Sequence, residues 1–229
     1  MADPERRRGR AHDAEGAREA IISAATTAFA NQGFDGARID AIAAASGYNK
    51  SLIFHYFEDK LGLYTAIIKR VKTAMHDRER EALAPFLDNE KLTKDAELFR
   101  GFLETAVRTS FDVMTEHPDT YRMFVWEMAE GWKTYGNTMS QPDFKEIGRI
   151  KEFFARAQAS GIVRADFDPI MGFIVMISMC RWYMCSLPLY QRMLPEEKLS
   201  SPEVLARARE QIVRFVIHGV MVDPLEPKQ

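Results

Sequence analysis

The chain has 229 residues, 46% of them hydrophobic and 28% charged, which suits a globular protein with a real core and excludes a disordered one. Its 31 Lys and Arg against 33 Asp and Glu leave a net charge of −2, so affinity for a polyanion has to come from cations placed locally. No run of about 18 apolar residues stands out and the N-terminus is hydrophilic, which leads us to expect a cytoplasmic protein without a membrane span or signal peptide.

Residues 1–16 are polar, with Arg6, Arg7, Arg8 and Arg10 close together and Pro4 and Gly9 discouraging a helix. They read as a flexible basic arm, either a solvated tail or a segment that reaches phosphates and the adjacent minor groove. From about Ala17 to Gln32, Ile21, Ile22, Ala25, Ala28 and Phe29 form one helical stripe; Gly33 closes that helix and Phe34 can pack back on it. The stretch IDAIAAASGYNKSLIFHYFEDK (39–60) then holds two short helical patterns. Ile39, Ile42, Ala43 and Ser46 share one face, Gly47 supplies a positive φ, and Asn49 is placed to cap a second helix that buries Ile53 and Phe57. Two short helices around a glycine turn, the second rich in outward hydrogen-bonding groups, describe a helix-turn-helix, with double-stranded DNA as the expected partner.

The run FANQGF (29–34), the stretch SGYNKSLIFHYFEDK and the following Lys60-Leu61-Gly62-Leu63-Tyr64 resemble the tetracycline-repressor (TetR) family over roughly residues 17–70. The resemblance implies an all-α homodimer: an N-terminal three-helix DNA-binding domain, then a larger helical domain for ligand binding and dimerisation. It further implies that a small-molecule inducer releases the DNA. Two positions depart from the family pattern. Arg38 stands where a Thr or Ser usually caps the first helix of the motif, so either Asp40 assists that helix end or the end is less well satisfied; Arg38 could instead meet a phosphate itself. Phe54 stands where a Tyr is more common; if its ring faces DNA, the hydroxyl contact to a phosphate is missing and a thymine-methyl contact stays open.

In the second helix Lys50 is the best placed for guanine O6/N7, and Asn49, Ser51 and His55 are within reach of other base edges, though His55 also reads as simply solvent-facing. Tyr48 and Tyr56 suit positioning on the duplex backbone. Lys60, at the start of the next helix beside Glu58 and Asp59, suits a phosphate or a plain surface position.

A long amphipathic helix follows from Lys60 to about Leu83, with Leu63, Ile67, Val71 and Met75 as its stripe and Ala84-Pro85 as its stop. Residues 85–94 read as a loop. Further helices are expected at about 95–116, 119–135, 143–160, 169–187 and 202–219, with breaks at Pro118, Pro142, Gly161 and Pro188. Asp168 and Ser201 each precede a proline at a first helical position and are expected to cap it. We therefore divide the chain into an arm (1–16), a helix-turn-helix domain (17–62) and a helical ligand-binding and dimerisation domain (63–229). By resemblance, the last two long helices pair with their copies.

Aromatic and Met side chains concentrate in the larger domain and suit an adaptable apolar cavity, although each also suits ordinary core packing. Phe102, Met123, Trp126, Glu127, Trp132, Phe153 and Met176 are the ligand-binding candidates, for a small apolar or aromatic inducer. Glu127 and Glu130 border the aromatic set and read either as anchors for a cation or hydroxyl or as solvent-facing acids.

Catalysis finds no support: the five His are scattered without metal-ligand spacing, and no phosphate loop, nucleophile elbow or C-x-x-C occurs. No cofactor or metal is expected. Cys180 and Cys185, about 140° apart around one helix, read as buried side chains or, alternatively, as a redox sensor. The chain reads as a one-component regulator, more readily a repressor. The rival is an all-helical small-molecule-binding or interaction module that no longer reads DNA.

Overall fold

The structure, a computed structural model, describes residues 4–87, 89–138 and 141–222, with only the backbone described in 4–12 and 141–147. It is built of α1 (Pro4–Gly36), α2 (Ile39–Ser46), α3 (Lys50–Phe57), α4 (Lys60–Leu87), α5 (Ala96–Glu116), α6 (Pro118–Ala129), α7 (Lys133–Asn137), α8 (Gln141–Ala159), α9 (Pro169–Met193) and α10 (Pro202–Val220). Among the described residues no strand forms; one antiparallel bridge joins Val163 to Met221.

Local chemistry accounts for most boundaries. Gly33 has φ 68° and breaks the helical path where a C-terminal glycine was expected. Asp168 accepts from the N–H groups of Ile170 and Met171 at 2.9 and 2.8 Å, and Ser201 from Val204 at 3.4 Å, satisfying orphan donors at the starts of α9 and α10.

Four expectations need correction. The helix begins at Pro4, a residue tolerated in a first turn because its missing N–H has no partner there, so 4–16 are helical. The arginines expected to make that arm basic lie among residues whose side chains are outside the described ones. Pro85 and Pro188 sit inside α4 and α9. A proline removes one ladder bond, and near a helix end packing outweighs that loss: Phe86 meets Phe102 at 6.3 Å, and Leu187 is buried. The expected helix 119–135 is cut in two by Gly131 and Trp132, both in the left-handed region at φ 75° and 62°. Finally, α9 is long and apolar enough, by length and composition, to cross a membrane, with a mean hydropathy of 1.6 over 18 residues.

The chain forms two compact units whose division differs from the linear one. The first comprises Met1–Ala74 and His117–Thr138, so α6 and α7 join the helix-turn-helix. Its core packs Ile21, Phe29, Ile42, Ile53, Tyr64 and Met123, all at most 1% exposed. Trp126 donates its indole N–H to the Ala30 carbonyl at 3.2 Å, with its ring against Gly33.

The second unit comprises Met75–Glu116 and Met139–Gln229. Phe99, Leu103, Val107 and Phe111 are the buried stripe of α5, which packs against α9 and α10. Arg108 bridges Glu104 and Glu210, both at 2.9 Å, and Arg209 reaches Asp112 at 2.8 Å, tying α5 to α10. The Arg108 hydrogen bonds hold the Glu210 carboxyl below its usual range. Its ionised form therefore favours the folded chain at pH values above the unfolded carboxylate value of about 4.3, and that contribution is lost as pH falls through the lower folded value. Glu210→Gln is expected to cost under about 1 kcal/mol at pH 7, because the pair is over a third exposed, and less at pH 3. Urea unfolding of both proteins at the two pH values checks this; an equal gap at both would remove the ion pair as its cause.

Cys180 is buried and its thiol is pushed up to about 11 by that burial, against a smaller lowering by Arg181. The thiolate is correspondingly scarce, which speaks for the packing reading of this cysteine.

Candidate nucleic-acid interface

The helix-turn-helix is assembled from local signals. Gly47 closes α2 at φ 77°, and the Asn49 side chain accepts from the Leu52 N–H at 2.9 Å, starting α3. Ile53 and Phe57 point into the core and so turn the opposite face of α3 outward. On that face Asn49, Lys50, Ser51, Phe54 and His55 are all exposed, Phe54 by 43%. That exposure leaves the Phe54 ring open to contact from outside the chain. Tyr48 and Tyr56 are half-buried and pack on the core, and the Tyr56 ring lies 5.5 Å from that of His55. Their bodies are anchored, as suits residues that set orientation.

Arg38 occupies the N-cap position of α2 with extended backbone and makes no capping hydrogen bond. Its side chain is exposed next to α2's unsatisfied N–H groups. Lys50 forms an ion pair with Asp40 of α2's first turn. Lys60 donates to the Asp35 carbonyl at 3.2 Å, with its ammonium 4.8 Å from the Phe34 ring centroid. The structure thus brings all nine candidates onto the motif and its flanks, with the two lysines held by neighbours.

Two residues escaped the sequence reading. Asp40 was considered for its helix end alone. Asp59, whose acid suits a helix start, caps α4 by accepting from the Gly62 N–H at 2.6 Å. Gly62 itself is needed because a Cβ there would overlap the carbonyl oxygen of Phe57.

The seven ligand candidates fall into two groups. In the first unit Met123 is core, Trp126 is 39% exposed, and Glu127 and Trp132 belong to the α6–α7 turn. In the second unit Phe102 and Phe153 meet at 5.0 Å, and Phe99 stacks on Phe153 at 5.5 Å. Phe154 and Phe86 extend that ring cluster. Met176 is half-buried on α9. Phe86 was assigned to a loop from sequence and so was passed over.

Comparison with known proteins accords with this geometry. The family profile described as bacterial regulatory proteins, tetR family, matches residues 21–67, and that of the tetracyclin repressor-like C-terminal domain matches 101–216. The HTH-type transcriptional repressor NicS of Pseudomonas putida is 22% identical over 176 residues, 76% of this chain and 78% of its own. The HTH-type transcriptional activator FasR of Mycolicibacterium smegmatis is 31% identical over 117 residues, 51% of this chain and 49% of its own, so the chain spans about half the length of that relative. Among solved structures, the ketosteroid transcriptional regulator KstR2 of Mycobacterium tuberculosis superposes with a TM-score of 0.65 at 14% identity, covering 90% of this chain and 95% of that one, and so shares the fold. With both halves matched and a capped, outward-facing α3 after the Gly47 turn, the chain belongs to the TetR family of ligand-responsive, DNA-binding transcriptional regulators.

Proposed function

We propose that this regulator is a cytoplasmic repressor that binds a palindromic operator as a homodimer and is released by a small apolar or aromatic inducer. The observation that carries the reading is the exposed row Asn49, Lys50, Ser51, Phe54 and His55 on α3, a helix whose other face is locked into the core. In this reading α3 enters the major groove, Arg38, Tyr48, Tyr56 and Lys60 serve the phosphates, and two copies read half-sites one helical turn or more apart. The repressor assignment is supported by the longer match to NicS, named a repressor.

The partner copy would cover the exposed apolar face of α9, where Met171, Ile174, Trp182, Leu189 and Met193 are all at least 52% exposed, together with Phe215 of α10. That accounts for the membrane-like composition of α9 without a membrane, since an obligate interface resembles a core cut in half. The inducer would take the phenylalanine cluster around Phe102 and Phe153, with Met176 as an adaptable wall. It acts only through its higher affinity for the arrangement that does not bind DNA.

The test is a selection of random duplex DNA by the purified protein, with the affinity of the enriched sequence followed against salt. A palindrome with a steep salt slope is the expected result; no enrichment by a folded dimer would favour the interaction-module reading. On the enriched operator Lys50→Ala is expected to lose about 1–3 kcal/mol and to relax the preference at one base pair. Asp40→Asn frees the Lys50 ammonium and removes an anion beside the phosphates. It is expected to raise affinity for random DNA and steepen the salt slope by about one ion. Equal losses of Lys50→Ala on operator and random DNA would make Lys50 a phosphate contact instead.

A further inference from the structure

The turn after α6 is built around a buried acid. Glu127 is 1% exposed. Its Oε2 accepts the backbone N–H groups of Thr134 and Tyr135 at 3.2 and 2.9 Å, and its carbonyl accepts from the Trp132 N–H at 2.7 Å. Oε1 accepts no hydrogen bond, and among the described residues no cationic side chain pairs with this carboxylate. Tyr64, 1% exposed, lies near it; burial first, then the neighbouring Glu127 carboxylate, hold its phenol far above the usual value. A buried carboxylate with one idle oxygen is costly unless something donates to it.

Three aromatic rings are hung on the same carboxylate. Phe124 lies one turn earlier on α6, Trp132 is bonded to the Glu127 carbonyl, and Tyr135 gives its N–H to Oε2. Their centroids are 5.3 Å (Phe124 to Tyr135), 5.5 Å (Trp132 to Tyr135) and 6.4 Å (Phe124 to Trp132) apart, the planes inclined by 49–68°. All three are half-buried. Trp132 takes its place at φ 62°, a conformation that a bulky side chain adopts only when the surroundings impose it. A tryptophan at positive φ, three tilted rings and a buried carboxylate with one oxygen that accepts no hydrogen bond thus meet at one turn.

We propose that Glu127 with Phe124, Trp132 and Tyr135 binds a protonated organic amine, whose ammonium N–H donates to Glu127 Oε1 while its organic substituent packs against the rings. Ring faces attract a cation, and a carboxylate oxygen without a donor selects a cation that has an N–H to give, so an amine fits better than a quaternary ammonium. This goes beyond the effector reading above, which gives an apolar inducer the Phe102–Phe153 cluster: Glu127 and Trp132, ligand candidates from the sequence, here take a cationic ligand of their own.

The full-length protein, titrated at pH 7 by calorimetry and tryptophan fluorescence, tests it with 2-phenylethylamine against neutral 2-phenylethanol, and with hexylamine against tetramethylammonium. We expect each amine to bind about 10- to 100-fold more tightly than its partner probe, the range that one hydrogen bond to a charged group represents. Glu127→Gln should erase the preference, and Phe124→Leu, which leaves the carboxylate untouched, should weaken both amines. The proposal is overturned if neither amine binds, if the alcohol binds as well as the amine, or if the preference survives Glu127→Gln. Should Glu127→Gln fail to fold by circular dichroism, the comparison of probes on the wild type and on Phe124→Leu decides alone. Operator binding is measured separately: its loss with amine binding intact would sink the DNA reading, and the reverse would sink only the amine site.

Discussion

Phe29→Ala is expected to lower the unfolding free energy by about 3–5 kcal/mol, the range for emptying a fully buried phenylalanine site. Phe29 is 0% exposed, meets Tyr64 edge-on at 4.9 Å and stacks with Phe34 at 6.1 Å; Phe34 meets Tyr64 in turn at 5.2 Å. The three rings join the end of α1 to the start of α4, and the α2–α3 pair rests on that support through Ile42, Ile53 and Phe57. The cavity cannot close cheaply, because Tyr64 is itself held among Ile67, Ile68 and Met123. Urea unfolding followed by circular dichroism checks the magnitude, with Phe29→Leu expected to recover part of the loss. A cost below about 1 kcal/mol would show that the site collapses or is loosely packed. Operator affinity measured well below the unfolding transition should also fall, since the support of the reading helix is loosened before the chain unfolds.

The readable parts of this molecule are those set by neighbours in sequence. Gly33, Gly47, Asn49, Asp168 and Ser201 each do what a local rule expects, and the stripe on α3 divides it into a buried and an exposed face from spacing alone. Helix stops at Pro85 and Pro188 were misjudged because packing, not propensity, decides whether a proline near a helix end is tolerated. Spatial grouping was less legible still. Met123 reads as apolar in any case, but its burial among Phe29 and Tyr64 depends on a return of the chain that periodicity does not encode. Asp40 and Lys50 lie ten residues apart across the turn, beyond the i+3 and i+4 rules that reveal pairs on one helix. Glu127 read equally well as a surface acid or a cavity anchor; its burial and its idle oxygen follow from the strained turn at Gly131 and Trp132, which broke a helix expected to be continuous.

Gly62→Ala is expected to separate DNA binding from folding. Gly62 lies in the first turn of α4, and a Cβ there would overlap the Phe57 carbonyl oxygen, a backbone atom that cannot swing aside as a side chain would. The junction has little slack. The Glu58 N–H bonds to the Phe54 carbonyl at 2.9 Å, the Asp59 N–H to the Phe57 carbonyl at 2.7 Å, and the Leu63 N–H to the Asp59 carbonyl at 3.1 Å. Glu58 already sits at φ 66°, a left-handed conformation costing on the order of 1 kcal/mol or more for a residue with a Cβ. A methyl at position 62 must therefore push the end of α3 away from α4. We expect a stability loss of about 1–3 kcal/mol, as for overpacking elsewhere, with the operator complex weakened by more than that loss explains. In the proposed reading the excess follows because α3 carries Lys50, Phe54 and His55, and an alignment error at its end would displace all of them in the groove together. Urea unfolding and operator titration at a temperature where the variant is fully folded give the two numbers. Wild-type stability with wild-type affinity would mean that the α3–α4 junction yields freely and does not hold α3 rigidly in place.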